Sequence, residues 1–120
     1  MRTPLADVRV VLRNSVVIAA LEGEVDLSNA QAVREKVLGA IPNTATGLIL
    51  DMSTTAYLDS QGIQVLLDIA ELLGVRRQRI RLIVPEGAPI RRVLSLTSIG
   101  KSLPIDSTIE QAVAQLRNTD

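Results

Sequence analysis

The sequence predicts an α/β fold: a mixed, mostly parallel sheet with an N-terminal β-hairpin and about four helices. Two observations carry that expectation. Two β-branched runs flank Asn14 near the start of the chain. After them, short apolar runs rich in Leu, Ile and Val alternate with stretches whose apolar residues recur at helical spacing. Alternation of that kind builds parallel sheets covered by helices. The length, 120 residues, points to a single domain over 1–120 with one proper core.

The elements follow in order. Val8 to Arg13 and Ser15 to Leu21 read as the hairpin, with Asn14 tolerant of turn geometry. A helix is expected from about Ser28 to Ala40, opened by a capping box of Ser28 with Gln31. Ala30, Val33, Val37 and Ile41 form its apolar stripe, and Pro42 stops it. Gly47–Asp51 is a short apolar strand, and Met52 to Leu58 is expected to be a turn. The second helix runs from about Gln61 to Leu73, with Gly74 as its C′ residue. Arg79 to Val84 is a strand. Pro89 starts a third helix carrying Ile90, Val93, Leu94 and Thr97. Ser102 to Ile105 is a short strand. The last helix opens with a second capping box, Ser107 to Glu110, and buries Ile109, Ala112, Val113 and Leu116.

Composition excludes much chemistry. The chain has no His, no Cys and one aromatic residue, Tyr57. Ser-His-Asp and Cys-His nucleophile pairs are therefore absent, as are zinc fingers, iron–sulfur clusters and His-ligated haem. One aromatic leaves no stacking platform for single-stranded nucleic acid. The N-terminus, Met1 to Asp7, lacks the apolar run of a secretory signal, and Val16 to Leu21 is far too short to span a bilayer. A cytoplasmic protein without membrane insertion is the simplest reading.

The 13 basic and 13 acidic residues balance, but unevenly along the chain. Residues 1–75 carry 5 basic and 9 acidic side chains, and residues 76–120 carry 8 and 4. Arg76, Arg77, Arg79 and Arg81 crowd together. They read more readily as a solvated helix end and strand edge than as a face for nucleic acid.

The informative stretch is Leu50-Asp-Met-Ser, then Leu58-Asp-Ser-Gln-Gly-Ile63. Asp59-Ser60 opens a helix at the end of the sheet where α/β sites form. A helix start offers unpaired N–H groups and partial positive charge, so a phosphate on Ser60 finds ready donors. It also adds about −1.5 to −2 charges. Equally, Asp59 or Ser60 is simply the cap, worth roughly 1 kcal/mol; Asp59 also reads as a carboxylate that orients the hydroxyl. The helix is apolar around most of its circumference, with Gln61, Gln64, Asp68 and Glu71 as a polar stripe. The excess apolar surface either covers a neighbouring helix, the preferred reading, or faces a partner. Glu22, Glu24 and Asp26 form a second acidic cluster beside Asp51 and Asp59, readable as a Mg²⁺ site or as caps and loop residues. The strong nucleotide signatures are missing, so neither metal nor cofactor is assigned.

Taken together, Glu22-Gly-Glu-Val-Asp26, Leu50-Asp-Met-Ser and Leu58-Asp-Ser-Gln-Gly-Ile63 resemble the anti-sigma factor antagonist domain shared with sulfate transporters, the STAS domain. The resemblance implies a regulator, not an enzyme. It implies that the unphosphorylated chain binds an anti-sigma factor that is also a serine kinase, and so releases a sigma factor. The kinase phosphorylates Ser60 and the complex dissociates; a phosphatase resets it. By the same resemblance Asp59 stands beside the acceptor, Asp26 lines the same surface, and Gly62 allows close approach of the partner. Gln61 and Gln64 are expected on the docking face with them, and Tyr57, three residues before Ser60, either marks that face or packs under the loop. Gln61 departs from the Ser or Thr of better-known antagonists. The alternative use of the same fold is an interaction subunit without phosphorylation, in a stressosome-like assembly or beside a lipid-transport ATPase. An Asp/Ser enzyme is disfavoured, because no base is paired with the serine.

Overall fold

The computed structural model describes residues 6–97 and 99–117. Most of the N-terminal stretch read as free of a secretory signal lies outside them. The hairpin joins β1 (Asp7–Arg13) to β2 (Val16–Val25) through a two-residue turn. Asn14 and Ser15 take left-handed φ of 51° and 70°, the turn whose twist matches the flanking strands. β2 is longer than expected and carries Glu22 and Glu24 on its last turns of pleat.

α1 (Ala30–Gly39), β3 (Gly47–Asp51), β4 (Thr55–Leu58), α2 (Ser60–Val75) and β5 (Arg79–Ile83) follow. The expected third helix is divided into α3 (Arg91–Ser95) and α4 (Ile99–Ser102). Pro89 lies in the turn before α3 and does not form its first residue. β6 is only Ile105–Asp106, so Ser102 ends a helix and does not start a strand. α5 (Ile109–Arg117) closes the described chain. β1 pairs antiparallel with β2; the remaining pairings are parallel, in the order β1-β2-β3-β5-β6.

β4 is the element that periodicity missed. The expected turn from Met52 to Leu58 is only three residues long, and Thr55–Leu58 then pairs parallel with Gly23–Val25 of β2. Thr55 is fully buried and its hydroxyl donates to the Leu21 carbonyl at 2.5 Å. A four-residue strand with one buried threonine leaves too short a pattern to see.

Side chains along the sheet alternate between two layers, as strand geometry requires. Val17, Ala19, Leu21, Leu48, Leu50 and Leu82 face α1 and α2 in the larger core. Val16, Ile49 and Ile83 face α5 through Ala112 and Leu116. The apolar breadth of α2 is used internally: Val65, Leu66, Ile69 and Leu73 are buried against the sheet and α1, and Ile63 and Leu67 pack at the margin. Arg81 sits in a bidentate pair with Asp106, at 2.5 and 3.2 Å, rather than in a free basic face. No helix among the described residues is long and apolar enough to cross a membrane.

Three helix ends differ from expectation. Ser28 does not cap α1; the N-cap is Asn29, without a side-chain cap bond. At α5 the capping box lies one residue later, with Gln111 N–H donating to Thr108 Oγ1 and Gln111 Oε1 accepting from Ser107 N–H. α2 runs through Gly74 and stops at Arg77, whose φ is 61°. Arg77 N–H donates to Gly74 O and Gln78 N–H to Leu73 O, the paired bonds of a Schellman ending. An arginine holds the left-handed position normally given to glycine.

Candidate functional site

The site forms where β2 and β4 end side by side and feed α1 and α2. Glu24 is in register with Tyr57, and Val25 with Leu58. Asp59 leaves β4 with extended backbone, φ −93° and ψ −170°, which lets its side chain fold back over the start of α2. Its Oδ1 accepts from Gln61 N–H at 2.8 Å and Gly62 N–H at 3.0 Å. Its Oδ2 accepts from Leu27 N–H at 3.1 Å, thirty-two residues away in sequence. Asp59 N–H in turn donates to Val25 O at 3.2 Å. One aspartate thus caps α2 and ties the β2–α1 loop to it.

The loop is held from its other side as well. Ser28 donates to Asp26 Oδ1 through its amide at 2.9 Å and its hydroxyl at 2.5 Å. These bonds, the hydroxyl first, hold the Asp26 carboxyl below the ordinary carboxylate range, against a small opposing effect of burial. Asn29, buried, accepts from Asp26 N–H and donates to Glu24 O at 2.8 Å. The expected capping box of Ser28 with Gln31 does not form because α1 starts one residue later, with Asn29 at the N-cap position.

The open choice between Asp59 and Ser60 as cap resolves to Asp59. Ser60 is the first residue of α2 and is exposed, and among the described residues no hydrogen bond engages its hydroxyl. Asp59 does not orient that hydroxyl either; its oxygens serve backbone amides. The amides of Gln61 and Gly62 are taken, which corrects the expectation that they stand ready for a phosphate. Gly62 is buried, and a Cβ there would lie 2.8 Å from Val25 O and 3.0 Å from Leu58 Cδ2. Its missing side chain serves the approach of α2 to β2.

Around Ser60 the surface is open. Gln61 and Gln64 are exposed, Gln64 donating to Asp68 at 2.9 Å, and Tyr57 is 47% exposed on β4. Leu27, 75% exposed, stands on the tied loop; sequence reasoning passed over it. Its signal was an apolar residue inside Asp26-Leu-Ser-Asn29, outside the stripe of α1. A shallow groove between α1 and α2 is lined by Leu27, Gln31, Arg34, Gln61, Gln64 and Asp68. The carboxylates of the loop are engaged locally, Asp51 by Ser53 at 2.6 Å and Asp26 by Ser28. Among the described residues no group of three or more acids is placed to hold a metal ion.

Known proteins share this fold. The family model described as STAS domain matches residues 7–112. An anti-sigma-F factor antagonist of Mycobacterium tuberculosis is 29% identical over 111 residues, covering 92% of this chain and 88% of its own. The crystal structure of an anti-sigma factor antagonist from Mycobacterium paratuberculosis superposes with a TM-score of 0.83 at 24% identity, covering 95% of this chain and 96% of that one. The Bacillus cell fate determinant SpoIIAA, solved in its phosphorylated form, has the same fold at a TM-score of 0.66 and 22% identity, covering 94% of this chain and 100% of that one.

Proposed function

The chain belongs to the STAS domain family, and from that premise we propose that it is an anti-sigma factor antagonist switched by phosphorylation of Ser60. The unphosphorylated surface of Asp26, Leu27, Tyr57, Ser60, Gln61 and Gln64 docks on a cytoplasmic anti-sigma factor that is also a serine kinase. Docking displaces the sigma factor. The kinase then transfers the γ-phosphoryl group of ATP to Ser60 Oγ, the hydroxyl proton passing to a kinase base and ADP leaving. The chain is the substrate of that reaction and supplies no catalytic group.

One observation carries the reading. Ser60 is exposed and unbonded at the head of α2 because Asp59 performs the capping. A hydroxyl with no structural duty can be esterified without loosening the fold. The phosphate brings about −1.5 to −2 charges beside Asp59 and Asp26. Like charges on a docking face of low local dielectric weaken association steeply, while the capped helix stays in place. Hydrolysis of the ester by a phosphatase restores the first state. Gln61, exposed beside the acceptor, sets which kinase fits.

The test is incubation with ATP and the cognate kinase, followed by mass spectrometric mapping. One phosphate on Ser60, absent in Ser60→Ala, is expected, together with weaker kinase binding by Ser60→Asp. Label that survives Ser60→Ala overturns the choice of residue. No label, with kinase binding indifferent to Ser60→Asp, overturns the switch.

A further inference from the structure

Among the described residues β1 is the outer strand of the sheet and pairs on one side only. All seven of its residues are in unbroken register with β2, without a bulge or a proline. Proteins usually blunt such an edge. Here Val10, Val11 and Leu12 are 38%, 58% and 61% exposed, a consecutive apolar run on an open edge.

The hairpin fixes which backbone groups are free. The two-residue turn closes on the pair Arg13 and Val16, and in such a turn the closing pair is hydrogen-bonded. Bonding then alternates along the strand. Asp7, Arg9, Val11 and Arg13 turn their N–H and C=O toward β2; Val8, Val10 and Leu12 turn theirs to the open edge. An added strand must bond to those three residues.

A second copy of the same strand fits them in one antiparallel register. Centred on Val10, that register opposes Val10 to its own equivalent, Val8 to Leu12, Arg9 to Val11 and Asp7 to Arg13. Both Asp7–Arg13 pairs are of opposite charge. The neighbouring twofold registers centre on Arg9, which opposes Arg9 to itself, or on Val11, which opposes Arg9 to Arg13. Like charges directly opposite are destabilising. In the favoured register Val8, Val10 and Leu12 share one face, so the apolar layer of the larger core continues across the junction. The Asp7–Arg9 contact within one chain, 3.3 Å and largely exposed, is a weak competitor.

We infer that β1 is a homodimerisation strand, joining two copies edge to edge about a twofold axis at Val10 into one continuous sheet. The Ser60 surface stays open in that dimer, because it lies where β4 leads into α2, and β4 pairs further along β2, beyond the last β1–β2 pair at Asp7 and Glu22.

Sedimentation velocity on the full chain, over a concentration series, is expected to show a monomer–dimer equilibrium. Arg13→Asp should raise the dimer dissociation constant about tenfold, and adding Asp7→Arg should restore it. The chain has no cysteine, so an introduced thiol can pair only with another copy. Val10→Cys should crosslink under mild oxidation, because Cα atoms of a directly opposed bonded pair lie about 5.5 Å apart. Leu12→Cys should not, since its equivalent is offset by four residues. Circular dichroism checks that each variant is folded. A monomer at all concentrations overturns the inference. So does a dimer that ignores the charge swap, or that crosslinks through Leu12→Cys and not Val10→Cys.

Discussion

Gly62 and Gly74 lie on the same helix, and the structure assigns opposite signs to the same substitution at the two positions. A methyl group at Gly62 meets Val25 O at 2.8 Å, Leu58 Cδ2 at 3.0 Å and Leu58 Cβ at 3.3 Å. Comfortable contact needs about 3.5 Å, so α2 or the end of β2 must yield by about half an ångström. The backbone carbonyl concerned also accepts from Asp59 N–H, so the shift strains the cap. Overpacking of this kind costs about 1–3 kcal/mol, offset by about 0.5–1 kcal/mol for replacing a helical glycine with alanine. Gly62→Ala should therefore lose about 1 kcal/mol. At Gly74 nothing lies within 4 Å of the new methyl, so Gly74→Ala should gain about 0.5–1 kcal/mol. Equilibrium urea unfolding of both variants reads the two signs directly, with an unchanged m-value showing that the unfolding unit is the same. In melting temperature the variants should separate by several degrees. Gly62→Ala as stable as the parent, alongside a stabilised Gly74→Ala, refutes the close approach of α2 to Val25.

The remaining predictions concern the ties around the site and one ion pair. Asp59→Ala removes the acceptor of three amides and should cost about 1–2 kcal/mol, with hydrogen exchange rising at Leu27, Gln61 and Gly62. Asp26 has its folded pKa depressed below the ordinary 3.8 by Ser28. Its stabilising contribution is thus complete above that value and is lost as pH falls through the lower folded one. Carboxyl NMR titration should find the Asp26 midpoint moved upward in Ser28→Ala. Arg81→Met leaves Asp106 without the bidentate partner that half-buries with it and should cost about 2–3 kcal/mol by urea unfolding; Asp106→Asn in the same background should recover part of that.

The fold was legible where local pattern and tertiary need agree. The hairpin at Asn14, the apolar strands at Gly47–Asp51 and Arg79–Ile83, and the stripe of α1 all obey simple periodicity. Legibility failed where contacts outside the helical pattern overrode a local signal. Ser28 has the spacing of a capping residue, yet Asn29, bonded to Asp26 N–H and Glu24 O, takes the N-cap position and the helix starts one residue later. Gly74 has the identity of a helix stop, but the helix runs two residues past Leu73 to Val75, and Arg77 takes the left-handed position after its C-cap. β4 exists because β2 outruns β3 and offers an unpaired margin at Gly23–Val25. At the site, Asp26, Asp59 and Ser60 were visible as a group, because acids and hydroxyls cluster where strands feed helices. The amide of Leu27 was invisible, since a backbone donor reaching Asp59 from thirty-two residues away leaves no mark on composition.

The tether from Asp59 to Leu27 has a kinetic meaning. With that loop fastened to the helix start, and Asn29 fastened to β2, the proposed docking face is ordered before any partner arrives. Little freedom is surrendered on contact, so encounters are productive at ordinary rates and lifetimes, rather than arrival times, separate one partner from another. On the proposed reading, a phosphate on such a pre-ordered face would act on association itself and not by unfolding the surface.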